Sequence, residues 1–273
     1  MAIYRRVVLI LLPPSEGKTA ATVGEPVDPA ALWLPALAPA RRRVLTRLVA
    51  LCRRTSARSV AESLRALGLT EGQKDELTRN AGLPSAPAAA AASVYSGVLY
   101  EALDAASLSP AARQWLDSSA VVFSGLWGAV RLSDRIPAYR CSVSATLPAP
   151  VGGLTAYWKK VLKPTLDPTA ADGPVLDLRS GAYAAMWAPP AGTTATMRVL
   201  HERTVNGTVQ RTVVSHFNKA TKGRLVRALA STATTTTTID STIEALRDLK
   251  YTVEEQPSAA GRPRALDIIV AEL

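Results

Sequence analysis

Cysteine and histidine are both scarce in this sequence, with two of each among 273 residues. Cys52 and Cys141 lie far apart and neither has a CxxC partner, which argues against a structural zinc site and against a disulfide framework. We therefore expect no metal and no cofactor. The low cysteine content is typical of a protein of the reducing cytoplasm.

The N-terminal part also lacks a hydrophobic segment long enough to cross a bilayer. Its longest apolar run, residues 7–12, ends at Pro13-Pro14, so we expect no membrane partner. Aromatic residues make up only 5% of the chain, whereas hydrophobic residues as a whole make up 48% and charged residues 20%. This composition excludes global disorder and predicts a core built mostly from alanine, leucine and valine.

Basic residues outnumber acidic ones, with 32 lysines and arginines against 22 acids and a net charge of +10. Such an excess indicates an anionic partner: DNA, a nucleotide or another phosphate. The alternative is a GC-rich genome, whose codons favour arginine and alanine irrespective of any partner.

The order of strand and helix patterns predicts an α+β protein, a single mixed-sheet domain over residues 1–273. Continuous apolar runs predict buried strands at 3–12, 120–123 and 175–178. Asn206-Gly207 predicts a hairpin between strands at 197–203 and 208–217. Helices are predicted at 40–54, 94–103, 110–117, 155–163, 180–187, 222–230 and 241–249, and closing strands at 251–255 and 266–270. Pro164 is expected to end the helix at 155–163, and the Pro/Ala-rich residues 85–92 are interpreted as a surface linker.

Residues 57–83 resemble a helix-hairpin-helix insertion. Ser59 with Glu62, and Thr70 with Gln73, have the spacing of capping boxes, which predicts two helices at 60–67 and 71–80. Gly68 suits the left-handed end of the first helix, so the turn between the helices is expected to be very short.

Seven arginines and no acid occupy residues 40–58, directly before and within this helix pair. Tight helix pairs present backbone amides to DNA phosphates, and nearby arginines add affinity by releasing counterions. The residues assigned to non-specific, phosphate-driven DNA binding are Arg47, Arg53, Arg54, Arg58 and Gly68. The alternative is a helical hairpin with a solvated basic face.

Three strand-end segments carry the remaining chemistry. Residues 13–19 end in Gly17-Lys18-Thr19 like a phosphate-binding loop, but Leu12 stands where the complete pattern needs glycine. Residues 124–140 combine glycines with ring and guanidinium side chains. Residues 215–224 place three basic residues around a helix start, where a bound anion would offset their repulsion from the helix dipole. The alternatives are a solvated loop at 13–19, core packing of Trp127 with an Arg131–Asp134 pair at 124–140, and a solvated basic turn at 215–224.

Taken in order, these motifs resemble the YaaA peroxide-stress protein family in its actinobacterial form. The motifs are LPPSEGKT at 12–19, VYSGVLY at 94–100, FSGLWGAVR at 123–131, DRIPAYR at 134–140, AYW at 156–158, DLRSGAY at 177–183 and KATKGR at 219–224. The resemblance implies an α+β domain with a helix-hairpin-helix-like segment and a positively charged cleft, DNA binding, and protection against hydrogen peroxide by limiting iron-driven damage. It brings no settled enzymatic reaction.

The same resemblance assigns residues to the cleft. The expected catalytic set is Ser15, Lys18, Tyr95, Tyr183 and Lys222. The expected ligand- or anion-binding set is Ser124, Trp127, Arg131, Tyr139, Arg140, Trp158, Lys219 and Arg224. Leu132 departs from the usual pattern of the third motif, as a specialised biosynthetic paralogue would.

Three functions follow as hypotheses. The first is a cytoplasmic DNA-binding stress protein. The second is an enzyme acting on a nucleotide, nucleoside or nucleobase, in which Lys18 or Lys222 reacts, a tyrosine relays a proton, arginines hold an anion and Trp127 or Trp158 stacks on a ring. The third is a non-catalytic sensor of a small ligand.

Overall fold

The structure is a computed structural model that describes residues 8–171, 173–205 and 208–271. Over these residues the chain forms one mixed sheet of eight strands with helices around it, as the α+β prediction requires. The first residues of the predicted strand at 3–12 and the Asn206-Gly207 turn lie outside the described residues.

The strands are β1 Leu9–Leu12, β2 Ala89–Ala90, β3 Ala120–Ser124, β4 Gly128–Val130, β5 Arg135–Ile136, β6 Thr146–Leu147, β7 Gly152–Gly153, β8 Val175–Asp177, β9 Thr194–Val205, β10 Thr208–Thr212, β11 Thr252–Gln256 and β12 Arg264–Ala271. The main sheet has the strand order β11-β12-β9-β8-β1-β3-β4, and β10 pairs with β9. Neighbours from β12 to β3 run parallel, whereas the β3–β4, β9–β10 and β11–β12 pairs are antiparallel. Two further ladders join β2 to β5 and β6 to β7.

The helices connect and cover these strands. They are α1 Ala38–Cys52, α2 Ala57–Leu67, α3 Asp75–Ala81, α4 Ala91–Val94, α5 Val98–Leu103, α6 Pro110–Ser119, α7 Leu154–Ala170, α8 Gly181–Ala184, α9 Ser215–Ser231 and α10 Ile239–Asp248. Short 3-10 turns occur at Pro35–Leu37, Glu71–Gln73, Leu83–Ser85, Ala105–Ser107 and Ala191–Thr193.

The centre of the core lies on β1, β3 and β8. Every residue of these three strands is buried, so both faces of the sheet are covered at this point. This is why the sequence shows continuous apolar runs here rather than alternation.

The interpretation of residues 85–92 as a surface linker is wrong. Ala89–Ala90 forms β2 against β5, and Ala88 and Ala91 are fully buried. Small side chains at these positions allow close backbone packing, which composition alone does not distinguish from a flexible tract.

The prediction that Pro164 ends its helix is also wrong, because α7 continues through Pro164 and Pro168 to Ala170. A proline inside a helix costs about 3 kcal/mol. Beyond Pro164, Leu166 and Ala170 continue the buried stripe of Trp158 and Leu162, and this burial favours continuation of the helix. Conversely, the predicted helix at 94–103 is interrupted at Gly97, whose φ is +97°.

The helix pair at 57–83 differs from prediction in its details. Ser56, not Ser59, caps α2, because the Ser56 side chain accepts a hydrogen bond from the Ser59 amide. Gly68 ends α2 in the left-handed conformation, as predicted. The Thr70–Gln73 capping box starts a 3-10 turn, and α3 begins only at Asp75. Whether this segment is an insertion stays a prediction.

Candidate functional site

A cleft of about 520 Å³ lies where β1 and β8 end. Its walls come from four segments: the loop after β1, the start of α5, the loop after β8 and the first turns of α9. The lining residues are Pro13, Pro14, Ser15, Glu16, Gly17, Gly97, Val98, Leu99, Tyr100, Leu178, Ser180, Tyr183, Asn218, Lys219 and Lys222. Carboxyl ends of parallel strands are a common place for ligand sites.

The loop after β1 is fixed against the segment before α5. The Tyr100 hydroxyl donates to the Pro13 carbonyl at 2.7 Å, and the Ser15 hydroxyl donates to the Ser96 carbonyl. Lys18 and Tyr95 form an isolated antiparallel bridge. These contacts hold the backbone on both sides of Lys18, so its position is set by the fold.

The Lys18 ammonium is largely buried and has no carboxylate of the described residues within salt-bridge distance. Its Nζ donates to the Ser15 carbonyl at 2.6 Å and lies 4.4 Å from the centre of the Tyr139 ring. Burial lowers the pKa of Lys18 to about 8, and the nearby Glu16 charge offsets only part of this effect. Lys18 therefore combines a restrained position with a weakened affinity for its proton.

Ser124, Tyr139 and Tyr95 form a cluster of buried hydroxyls beside Lys18. Tyr139 Oη lies 2.6 Å from Ser124 Oγ and 2.9 Å from Tyr95 Oη. Burial raises the pKa of both tyrosines well above the ordinary value of a tyrosine. Both phenols are therefore neutral hydrogen-bond donors near pH 7.

Arg140 closes the loop from the other side. Its guanidinium pairs with Glu16 at 3.0 Å and donates to the Glu16 carbonyl at 3.2 Å. The Arg140 backbone in turn exchanges two hydrogen bonds with the Asn80 side chain of α3. This contact ties the helix pair to the cleft.

The opposite wall carries Lys222, Lys219 and Tyr183. Lys222 Nζ donates to the Leu178 carbonyl at 3.1 Å, and burial lowers the pKa of this lysine. Burial raises the pKa of Tyr183 to about 12. Lys219 is exposed at the rim. A buried side-chain oxygen of Asn218, also on this wall, has no hydrogen-bond partner among the described residues.

The family model of the peroxide stress protein YaaA matches residues 8–257 of this chain. The chain belongs to the YaaA family. A UPF0246 protein of Streptomyces coelicolor is 50% identical over 270 residues, which cover 97% of this chain and all of the relative. A UPF0246 protein of Corynebacterium efficiens is 38% identical over 266 residues, 96% of this chain and all of the relative. The resemblance inferred from the ordered motifs is thereby confirmed.

The two tryptophans expected to bind a ligand lie in the core instead. Trp127 and Trp158 are fully buried. The Trp158 indole donates to the Gly125 carbonyl at 2.8 Å and packs against Gly128, where a Cβ would lie 2.7 Å from the ring. Neither ring is available to stack on a ligand, because neighbouring protein covers it.

Arg131 and Arg224 also lie away from the cleft. Arg131 donates to the Ser118 carbonyl and stacks on Trp33, at the amino-terminal end of β3. The chain reverses between β3 and β4, and this reversal carries Arg131 away from Ser124. Arg224 is exposed on α9 and does not line the cleft.

The arginines assigned to DNA binding are partly engaged within the protein. Arg54 and Arg58 both pair with Glu62, at 2.6 Å and 3.1 Å. Arg53 is exposed and Arg47 half-buried. Gly68 is exposed, and a Cβ at this position would meet nothing within 4 Å, so the turn leaves its backbone accessible.

Two structural arginines were missed by sequence reasoning. Arg41, counted there among the basic residues of the DNA-binding segment, is fully buried and donates to six backbone carbonyls, those of Pro29, Leu32, Trp33, Leu34, Trp127 and Ala129. Arg179 forms a buried bidentate pair with Asp177 and holds the carbonyls of Tyr183 and Trp187. The DLRSGAY motif contained a signal for Arg179, since the motif begins with Asp177 at the end of a buried strand and Arg179 follows two residues later.

In the part of the chain that the structure describes, no group of three or more His, Cys, Asp or Glu side chains is arranged to hold a metal ion. Among the same residues, no helix is long and apolar enough to cross a membrane.

Proposed function

We propose that this YaaA-family protein binds a small anionic ligand of the nucleotide-like class in the cleft and acts on it through a lysine amine. The observation that carries the proposal is an imbalance of charge. Lys18, Lys219 and Lys222 have no salt bridge to any described residue, whereas the one carboxylate lining the cleft, that of Glu16, is already paired with Arg140. Lys18 and Lys222 are largely buried, and buried cations without a counter-anion favour binding of an anion from solution.

The size and shape of the cleft support a small molecule. Ligand sites commonly enclose roughly 300–1,000 Å³, and this cleft encloses about 520 Å³. Its aromatic surface comes from Tyr100 and Tyr183, not from the tryptophans. A flat ring would therefore be held against a tyrosine while lysines bind its anionic group.

Lys18 supplies the reactive group in this proposal. With a pKa of about 8, roughly a tenth of the amines are uncharged at pH 7, against far less than 1% for an ordinary lysine. An uncharged amine held by the fold accepts a proton or attacks an electrophilic carbon. Lys222 and Lys219 bind and orient the anion on the opposite wall.

The name of the family connects its members with peroxide stress, and we extend that role to this chain. Deletion of the gene is expected to increase killing by hydrogen peroxide. A plasmid carrying the wild type is expected to restore survival, and one carrying Lys222→Ala is not.

The binding proposal is tested directly with the purified protein. Small molecules released on denaturation of wild type, Lys222→Ala and Lys159→Ala are compared by mass spectrometry, and adenosine monophosphate is titrated into each. Lys159 is an exposed lysine on α7, so it controls for loss of charge alone. Weaker binding only in Lys222→Ala supports the proposal. No released anion together with no binding of the nucleotide rejects it.

Non-specific DNA binding is the second candidate function. The observation that favours it is the exposure of groups along the helix pair. The Arg58 side chain, in the first turn of α2, is 92% exposed, and Arg53, five residues earlier, is also exposed. The Gly68 turn at the other end of α2 presents open backbone. Phosphates bind to such surfaces mainly through charge, with little sequence preference.

A further inference from the structure

The hydrogen bonds of the buried hydroxyl cluster have a direction that can be worked out by counting. Ser124 Oγ accepts the backbone amides of Trp127 at 2.9 Å and Leu126 at 3.2 Å. A serine oxygen has two lone pairs, and both are now used. The Ser124 hydrogen must therefore be donated to Tyr139 Oη, 2.6 Å away.

The same count continues to Tyr95. Tyr139 Oη accepts from Ser124 and makes one further contact, with Tyr95 Oη at 2.9 Å, in which either hydroxyl can be the donor. Whichever tyrosine donates, the hydrogen of the other has no acceptor among the described residues. Ser124 Oγ is also near Tyr95 but has no lone pair left.

The three hydroxyls of Ser124, Tyr139 and Tyr95 have three hydrogens but only two contacts with one another. One buried O–H donor is therefore left without an acceptor. Ionisation of a tyrosine would balance the count, but burial raises the pKa of Tyr95 and Tyr139 and keeps both protonated. Tyr95 is only 2% exposed, and leaving such a donor unpaired costs about 1–3 kcal/mol. An acceptor atom from outside the chain would remove this cost.

A buried cation lies at the same place. Lys18 Nζ is 4.4 Å from the centre of the Tyr139 ring and 5.5 Å from that of Tyr95. An ammonium group has three donors, and Lys18 uses one on the Ser15 carbonyl. Ser15, whose carbonyl accepts this bond, and Gly97, two residues after Tyr95, line the cleft, so this corner adjoins it.

We propose that Tyr139 donates to Tyr95, that Tyr95 Oη and Lys18 Nζ form a subsite for one oxygen of an anionic group, and that Ser124 is the positioning residue that directs the free hydrogen to Tyr95. This proposal rests on the proposed ligand cleft, and it names the groups that bind the ligand at the inner end of that cleft. The group is a carboxylate or a phosphoryl group, because both offer an oxygen with several lone pairs to a cation and a hydroxyl.

The test follows the side-chain NMR signals of Lys18 and Lys222 in protein carrying ¹³C-labelled lysine. Formate and inorganic phosphate are added separately to wild type, Tyr95→Phe and Tyr157→Phe. The Tyr157 hydroxyl donates to the Ala40 carbonyl away from the cleft, so Tyr157→Phe controls for loss of a phenol. Near-ultraviolet circular dichroism checks that each variant is folded.

We expect one of the two anions to shift the Lys18 signal in the wild type, and that anion identifies the group. Tyr95→Phe is expected to weaken this binding at least tenfold, since a hydrogen bond to a charged group is lost. Tyr157→Phe is expected to stay within twofold. Ser124→Ala is expected to weaken binding at Lys18 but not at Lys222, and Ser124→Thr, which keeps the hydroxyl, to recover it.

Two results overturn the subsite: a Lys18 signal that responds to neither anion, or unchanged affinity at Lys18 in folded Tyr95→Phe. If the Lys222 signal still responds, the ligand cleft stands and only its inner end fails. If neither lysine responds, the cleft proposal fails as well. Equal loss at Lys18 and Lys222 in Ser124→Ala would show a general structural role for Ser124 and overturn its positioning role.

Discussion

Gly223 of α9 packs so closely on Leu99 of α5 that a methyl group on Gly223 would overlap the Leu99 carbonyl oxygen. The same methyl group would lie 2.9 Å from the Ala102 Cβ. Lys222 stands on one side of this crossing and Leu99 on the other, and both line the cleft. The absence of a side chain at Gly223 therefore allows α9 and α5 to approach closely beside the cleft.

Gly223→Ala is expected to lower the free energy of unfolding by about 1–3 kcal/mol, because α9 must move away from α5. This loss exceeds the gain of about 1 kcal/mol that alanine ordinarily brings inside a helix. Urea unfolding measures the difference. Gly181→Ala is the control, since a Cβ there meets nothing within 4 Å. A Gly223→Ala protein as stable as the wild type would contradict the close crossing.

Lys18→Met is expected to stabilise the protein at neutral pH. The pKa of Lys18 is lowered from 10.5 in the unfolded chain to about 8 in the folded one, so the folded state binds fewer protons between these values. The stability of the wild type relative to Lys18→Met therefore rises from about pH 8 to about pH 10.5. Below pH 8 the full cost of burying the charge is present, at most about 3 kcal/mol.

Urea unfolding at each pH measures the difference in the free energy of unfolding between wild type and Lys18→Met. Buried tyrosines such as Tyr139, with raised pKa, lower stability over part of the same alkaline range, but they are common to both proteins. Lys159→Met, at an exposed site, is expected to show no such dependence. A difference that stays constant from pH 7 to pH 11 would mean that Lys18 is effectively solvated.

Arg41→Met is expected to destabilise the protein by more than about 3 kcal/mol, because it leaves buried carbonyls without donors. Arg42→Met, one residue further on, is the control. Arg42 is exposed and lies 3.7 Å from Asp28, and such surface pairs contribute about 0–1 kcal/mol. Thermal and urea unfolding compare the two variants, and similar losses in both would contradict the structural role of Arg41.

Duplex DNA binding, if it occurs at the helix pair, is expected to weaken in a triple Arg53→Gln, Arg54→Gln, Arg58→Gln variant. Glutamine avoids adding negative charge beside Glu62, which Arg54 and Arg58 contact. Loss of three phosphate contacts would reduce the slope of log affinity against log salt by about 3. The control replaces Lys159, Lys160 and Lys163 of α7, also exposed, with glutamine and removes the same charge. Equal loss in both variants would indicate attraction to the net charge without an interface.

Local patterns in the sequence were sufficient for several features. Runs of apolar residues predicted the buried strands around Leu11, Val122 and Leu176, because a strand covered on both faces is apolar at nearly every position. Gly68 was predicted as the left-handed end of a helix because few other residues adopt that conformation at low cost. The ordered motifs identified the family, and they brought Ser15, Tyr183, Lys219 and Lys222 correctly to one region.

Only the tertiary structure decided which basic and aromatic residues are available. Arg41 and Arg42 are adjacent residues of the same type. Arg41 is buried and donates to carbonyls that include that of Trp127, 86 residues later, whereas Arg42 is exposed. Trp127 entered the core because the chain packs around it on every side. Such contacts join residues far apart in sequence, so no local pattern encodes them. The sequence by itself determined the strands, the turn at Gly68 and the family, whereas long-range packing determined which side chains reach the cleft.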